Sequence, residues 1–406
     1  MFAPRSIRFK ADTIASEAGV SVKAVILDEN TFGEGQNMER GFRRAQESLE
    51  IRAAVARDGG EPLEIERLML EGPRDDEVLV RIVAVGVCHT DIGMYQNWSR
   101  ADEPAVLGHE GAGIVEKAGK TVSGLKTGDH VVLSFASCGQ CPQCHGGQPW
   151  LCEHFMGLNF GFRRLDGSNA LHRSGVKGHF FGQSSFATYS VATEQNAVKV
   201  SPDLDLAMLG PLGCGLQTGA GTVMNTLAVQ PGASIAIFGT GAVGLAAVMA
   251  AKIVGANPII GIDINPMRLQ LALELGATRV VDSREADVAE AVSGITGSGI
   301  DYVVETSGSD SLGRLALDLL NPEGAAGFLT PGPRPTDLKS DRKAINVTEG
   351  SSAPQVFIPH LIELYRQGQF PFDRLIKLYE FADINTAIAD SKKGDTIKPV
   401  LWVNKA

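Results

Sequence analysis

From Ile51 onward, apolar and polar residues alternate in short runs at Arg52 to Ala56, Leu63 to Leu68 and Glu77 to Val87. A period of two predicts strands with one buried face, and the Gly, Pro and Asp between the runs predict turns. Ala112 to Glu116 and His130 to Leu133 continue the series, with a turn over Gly124 to Asp129. A mostly antiparallel β region is expected here. Beyond Pro231-Gly232 the pattern changes. Ser234 to Phe238 is a short apolar run, Leu245 to Val254 an apolar helix of small residues, and Pro258 to Ile262 a second strand. Arg279 to Val281, Asp301 to Glu305 and Ala325 to Thr330 follow in alternation with helical stretches, which predicts an α/β fold with a doubly wound parallel sheet.

Residues 1–50 show no such period. Phe32 to Gly41 is polar and glycine-rich, and Arg5, Arg8 and Lys10 stand without an acid, like the start of a mitochondrial presequence. A disordered extension or a misassigned start of the coding sequence are the other readings. With 406 residues, 44% hydrophobic and 21% charged, the chain is long enough for two domains. A net charge of -10 without a basic stripe excludes a nucleic-acid partner. The absence of an apolar run of 18 residues or more excludes a membrane span, so a cytoplasmic protein is expected.

Six cysteines carry the most specific signal. Cys138, Cys141, Cys144 and Cys152 form C-x2-C-x2-C-x7-C on a loop rich in Gly, Gln and Pro, a spacing that can wrap one tetrahedral zinc in four sulfurs. Two disulfides are the competing reading, with strained small rings and no secretory signal against them. An iron–sulfur site shares the opening spacing but brings its fourth cysteine after three residues and follows it with Pro, where this chain has Glu153. Cys88, in Cys88-His89-Thr90-Asp91, and His109, in Gly108-His109-Glu110, offer a thiolate and an imidazole. Alone they are better explained as a buried thiol and a core histidine. Cys214 supplies a third ligand, giving a two-sulfur, one-nitrogen zinc with an open fourth position and leaving no cysteine over. These ligands are expected on loops of the β scaffold.

Gly239-Thr240-Gly241-Ala242-Val243-Gly244 is a G-x-G-x-x-G between strand and helix, and Asp263 closes the next strand nineteen residues after the last glycine. Gly239, Gly241 and Gly244 suit a tight turn that lets a pyrophosphate approach the helix N-terminus. The Asp263 carboxylate suits ribose hydroxyls, which implies NAD over NADP.

Together these motifs resemble the zinc-dependent medium-chain alcohol dehydrogenases from about Ile51 to the C-terminus. The segment Glu349 to Phe372, with Pro354-Gln355-Val356-Phe357-Ile358-Pro359, further resembles their aryl-alcohol (benzyl alcohol) dehydrogenase branch. The resemblance implies a GroES-like β catalytic domain over residues 51–215, a Rossmann coenzyme domain over 216–350 and a return to the catalytic domain over 351–406. It implies two zinc ions, NAD, and hydride transfer between a primary aromatic or allylic alcohol or aldehyde and the nicotinamide. By the same resemblance Thr90 accepts the substrate proton, Asp91 buttresses His109, and Glu110 lies by the catalytic zinc. His89 and Lys398 would meet the pyrophosphate, Arg268 the adenosine end and Thr218 the nicotinamide, while Trp98 and Phe135 would line the alcohol pocket. A homodimer or homotetramer is implied. A glutathione-dependent formaldehyde dehydrogenase and a non-catalytic zinc and nucleotide binder are the rival functions. In one place the chain departs from the family, which often has a histidine where Gly93 stands. The substrate proton is then expected to leave through water, with His89 as the alternative.

Overall fold

The computed structural model describes residues 48–99, 101–330 and 341–404; the reading of residues 1–47 as a targeting segment or extension lies outside them. Eight strands come before the change of pattern: β1 (Ser48–Ala56), β2 (Glu64–Glu71), β3 (Glu77–Gly86), β4 (Ala105–Val106), β5 (Glu110–Ala118), β6 (His130–Leu133), β7 (Tyr189–Thr193) and β8 (Ala197–Val200). Six more make the second region: β9 (Ile235–Phe238), β10 (Ile259–Asp263), β11 (Arg279–Asp282), β12 (Ile300–Glu305), β13 (Leu320–Phe328) and β14 (Lys343–Asn346). The chain ends with β15 (Ile376–Glu380) and β16 (Lys398–Trp402).

The first region forms two sheets, β2-β1-β4 and β15-β16-β3-β5-β6-β8, with β7 also on β3. Its pairings are antiparallel apart from β15 on β16. Because β16 pairs with β3, the last strand of the chain returns Lys398 to the segment that begins at Cys88. The second region is one sheet ordered β11-β10-β9-β12-β13-β14, parallel throughout. That order is the doubly wound one, in which the topological switch falls between β9 and β12 and opens a crevice at the strand C-termini. Helices cover both faces, so β9 is apolar over its whole length, Ile-Ala-Ile-Phe, rather than alternating. The helix Ala242–Ile253 is buried from Gly244 to Ala251, and its small side chains allow the close approach that holds the glycine turn against the sheet.

The expected bounds shift in places that matter. The helix begins at Ala242 rather than Leu245, so its N-terminus abuts the last two glycines of the turn. Strand β5 begins at Glu110, which places that carboxylate on a strand instead of a loop. Cys88 and Cys214 are also not simply loop residues. Each caps a helix, His89–Gln96 and Gly215–Gly221, and so points its sulfur from a position fixed by backbone hydrogen bonds. Among the described residues no helix is long and apolar enough to cross a membrane.

Candidate active site

The ligand-bearing side chains of Cys88, His109, Glu110 and Cys214 converge so that one donor atom from each lies within 4.8 Å of the others. Asp91 builds the group from below. Its Oδ1 lies 2.9 Å from His109 Nδ1 and accepts the Gly108 N–H at 3.0 Å, while Oδ2 accepts the Cys88 N–H at 3.0 Å. One carboxylate, 2% exposed, thus ties both ligand segments together and fixes the imidazole tautomer that leaves Nε2 as an acceptor. Nε2 is buried and has no hydrogen-bond partner among the described residues. A buried, unpartnered nitrogen aimed at two sulfurs is costly unless a cation completes it, and two sulfurs with one nitrogen suit zinc.

A second buried network, which sequence reasoning did not find, sets the third ligand. Gln183 Nε2 donates to the carbonyls of His109 at 2.9 Å and Ser134 at 3.0 Å; Ser134 Oγ donates to Gly213 O at 2.6 Å, next to Cys214. The Cys88 thiol is held well below its ordinary range, first by hydrogen bonding to Cys214, and the same bond leads in holding Cys214 well above its own. Burial opposes the imidazolium of His109, but Asp91 and then Cys88 raise it overall. The cluster thus favours a Cys88 thiolate beside groups that hold their protons, His109 and Cys214, and a divalent cation competes with those protons for the same lone pairs.

Lys398, expected by resemblance to meet the pyrophosphate, lines the cleft but is already paired. Rather than standing free for a pyrophosphate, its Nζ sits 2.9 Å from both oxygens of Glu110 and 3.4 Å from Val87 O. Both side chains are buried, and a buried charge is tolerable only when paired. Burial pushes the Glu110 carboxyl up to about 7, against the pull of Lys398; burial also opposes the Lys398 ammonium, which Glu110 holds protonated overall. The equal, two-oxygen approach favours the charged pair. Glu110 thus lies beside the ligand group with its carboxylate already engaged.

The cluster sits at one end of a cleft of about 1270 Å³ that contains Cys88, His89, Thr90, Cys214 and Thr218 and runs past Gly239 and Gly241 to Asp263 and Arg268. Gly239 has φ 86°, and a Cβ on Gly244 would lie 1.8 Å from Gly239 O, so neither position accepts a side chain. A Cβ on Gly241 would meet nothing within 4 Å among the described residues; that open space beside a helix N-terminus is a cradle for phosphate. His89 opens onto the cleft, and crowding of its ring by the surrounding protein, opposed by Cys88 and helped by Lys398 and Arg268, lowers its pKa. Thr90 Oγ1 is 3.9 Å from Cys88 Sγ.

The inner wall is aromatic, with Phe155, Met156, Phe160 and Phe181 facing the cleft and Phe181 stacked on His109 at 4.4 Å. Trp98 and Phe135 were expected there. Instead Trp98 packs edge-on against Phe162 at 5.2 Å, and Phe135 stands behind Phe155 at 5.7 Å. The aromatic density of Phe155 to Phe162 and His179-Phe180-Phe181 was the available signal, but it has no strand period to place it.

Cys138, Cys141, Cys144 and Cys152 form the second group within 4.8 Å. None is in a disulfide; the Cys141 and Cys144 sulfurs are 3.5 Å apart. Backbone N–H groups point at the sulfurs, Cys141 N at Cys138 Sγ and Cys138 N at Cys152 Sγ, both at 3.3 Å. Backbone donation led by Cys144 brings Cys141 down to about 6, whereas burial pushes Cys152 up to about 12.

Comparison with known proteins agrees with this geometry. Residues 74–202 match the alcohol dehydrogenase GroES-like domain and residues 242–348 the zinc-binding dehydrogenase family. A geraniol dehydrogenase from Castellaniella defragrans is 46% identical over 88% of this chain and 98% of its own. An S-(hydroxymethyl)glutathione dehydrogenase from Synechocystis is 34% identical over 87% of this chain and 100% of its own. The crystal structure of a benzyl alcohol dehydrogenase from Acinetobacter calcoaceticus superposes with a TM-score of 0.83 at 44% identity, covering 88% of this chain and 100% of that one. The chain belongs to the zinc-dependent medium-chain alcohol dehydrogenases, oxidoreductases that use zinc and NAD(H).

Proposed function

We propose that this protein oxidises primary allylic and aromatic alcohols to aldehydes with NAD, and runs the reverse reaction with the same residues. The observation that carries the reading is the Cys88, His109 and Cys214 cluster, which lies where the dinucleotide cleft meets an aromatic wall. The two relatives named for geraniol and benzyl alcohol fit that wall, because flat, unsaturated substrates pack on aromatic faces. Cys88, His109 and Cys214 hold one zinc, with Glu110 beside it, and Cys138, Cys141, Cys144 and Cys152 hold a second, so two ions bind per chain. The domain boundaries 51–215 (catalytic), 216–350 (coenzyme) and 351–406 (return to the catalytic domain) and a homodimer or homotetramer rest on the family resemblance and belong to the same proposal, as does a cytoplasmic location.

When bound, zinc supplies Lewis-acid polarisation of the substrate oxygen, and NAD supplies the hydride acceptor. The protein's own share is positioning and proton handling. Thr90, beside Cys88, accepts the hydroxyl proton of the alcohol. Gly93 has no side chain to take the proton on, so it passes from Thr90 to water. Asp91 and Gln183 keep the ligand segments in register, and the aromatic wall excludes bulk water from the reacting carbon. Gly239, Gly241 and Gly244 cradle the pyrophosphate near His89, Asp263 takes the adenosine ribose with Arg268 close by, and Thr218 backs the nicotinamide.

Initial rates with geraniol, benzyl alcohol and ethanol, each with NAD and NADP, test the proposal. The unsaturated alcohols with NAD should exceed ethanol in kcat/KM by about a hundredfold, the value of a few buried apolar contacts. Formaldehyde oxidation that requires glutathione would favour the formaldehyde dehydrogenase reading. Absence of any turnover would favour a non-catalytic binder.

A further inference from the structure

Three consecutive residues just after β14 have left-handed backbone angles: Glu349 at φ 50°, Gly350 at 63° and Ser351 at 48°. Only glycine takes that region freely, so two of the three are strained and persist because their surroundings hold them. The restraints are visible. A Cβ on Gly350 would sit 2.7 Å from Gln217 O and 2.8 Å from Thr218 O, so the turn presses backbone to backbone on the helix Gly215–Gly221. Asn225 Nδ2 donates to Gly350 O at 3.4 Å and to Ser352 Oγ at 3.2 Å, and Thr226 Oγ1 donates to Ser351 Oγ at 2.9 Å.

What this strained turn presents to the cleft is a carboxylate. Glu349 lines it beside Thr218, whose Oγ1 donates to Glu349 Oε2 at 3.4 Å. The residue as a whole is half-buried, but its carboxyl is enclosed by protein, and burial, ahead of all other influences, raises its pKa to about 7. A dinucleotide laid across the C-terminal edge of a doubly wound sheet places one nucleotide over each half. Asp263 ends β10 and marks the adenosine half; Glu349 follows β14 and belongs to the other half, where the nicotinamide must lie. The nicotinamide ring is cationic in NAD+ and neutral in NADH.

We infer that Glu349, held by the strained turn and by Thr218, is a cofactor-facing carboxylate that stabilises the cationic ring of NAD+ over the neutral ring of NADH. The inference rests on the dinucleotide reading above. Its consequence is tighter capture of the oxidised cofactor and weaker product inhibition by the reduced one. A tenfold change in the ratio of the two affinities corresponds to about 30 mV in the two-electron potential of the bound cofactor.

The test is a pair of binding titrations on the zinc-loaded enzyme at mildly alkaline pH, calorimetry for NAD+ and fluorescence for NADH. Glu349→Gln should weaken NAD+ about tenfold, the size of one charge contact in a partly screened cleft, and leave NADH within about twofold. Thr218→Val removes the hydrogen bond that holds the carboxylate; because Thr218 also backs the nicotinamide in both redox states, only the ratio of the two affinities is read, and it should shift in the same direction by about threefold, which serves if the Gln variant does not fold. Equal shifts for the two cofactors, or an unchanged ratio in a folded variant, would overturn the inference while leaving the dinucleotide reading intact. Wild-type protein that binds neither cofactor would sink that reading itself.

Discussion

Replacing Cys214 with serine is expected to remove one of two bound zinc equivalents and lower kcat by about a thousandfold or more, with the melting temperature nearly unchanged. The expectation follows from two ligand groups that share no residue. Cys214 caps the helix Gly215–Gly221, and serine preserves both the cap geometry and most of the volume, so the loss should fall on metal affinity and turnover. Cys141→Ala should behave in the opposite way. It removes one of four sulfurs from a group whose other contacts are N–H to sulfur bonds within the same loop, so the second zinc is lost and the loop loses its pin. A fall in melting temperature of about 5 °C or more is expected before turnover per folded site declines. Elemental analysis with thermal melts decides both. Wild-type protein with a single zinc would refute the two-site account, as would an unchanged melting temperature with selective loss of activity in Cys141→Ala.

The second large effect is expected at Asp263, where the structure alters the simple picture of a ribose acceptor. Oδ2 accepts the Thr240 N–H at 2.6 Å and the Thr240 hydroxyl at 3.0 Å; Oδ1 accepts the N–H groups of Ile264 at 2.8 Å and Asn265 at 2.9 Å. The carboxylate therefore holds the glycine turn to the end of β10 as well as lining the cleft where the ribose is proposed to bind. Asp263→Gly removes both functions. Orphaning a buried donor costs about 1–3 kcal/mol, so kcat/KM with NAD should fall by about a hundredfold. With NADP the loss should be about tenfold smaller, because the carboxylate no longer opposes the 2'-phosphate. Arg268, whose Nε has no hydrogen-bond partner among the described residues, lines the cleft and is a cation in reach. The variant should thus lose discrimination without becoming a good NADP enzyme. An unchanged NAD to NADP ratio would show that Asp263 serves the turn alone.

Much of this site was legible because its signals are local. Gly239 to Gly244 lie between a strand and a helix that their own residues predict, and Cys138 to Cys152 sit within one loop. Cys214 is distant from Cys88 but was identified by counting cysteines. Legibility ended where partners are remote or the backbone is irregular. Lys398 and Glu110 are 288 residues apart, and only the pairing of β16 with β3 shows that they meet. His89–Gln96 reads as a loop because its Gly93 and mixed polarity give no helical period, yet Cys88 and Asp91 cap it. The role of Glu349 depends on three left-handed residues, of which only Gly350 hints at such a turn in sequence. Trp98 and Phe135 were misplaced for a related reason: aromatic character predicts burial, but not whether the ring faces a cleft or the core behind it.

The central claim is hydride transfer from an unsaturated primary alcohol to NAD. It is tested most directly with benzyl alcohol deuterated at the carbinol carbon, with the reduced cofactor analysed by mass spectrometry or NMR. One deuterium is expected on the nicotinamide ring for each aldehyde formed, and none with the zinc-depleted protein. Aldehyde formed without deuterium in the reduced cofactor would contradict it.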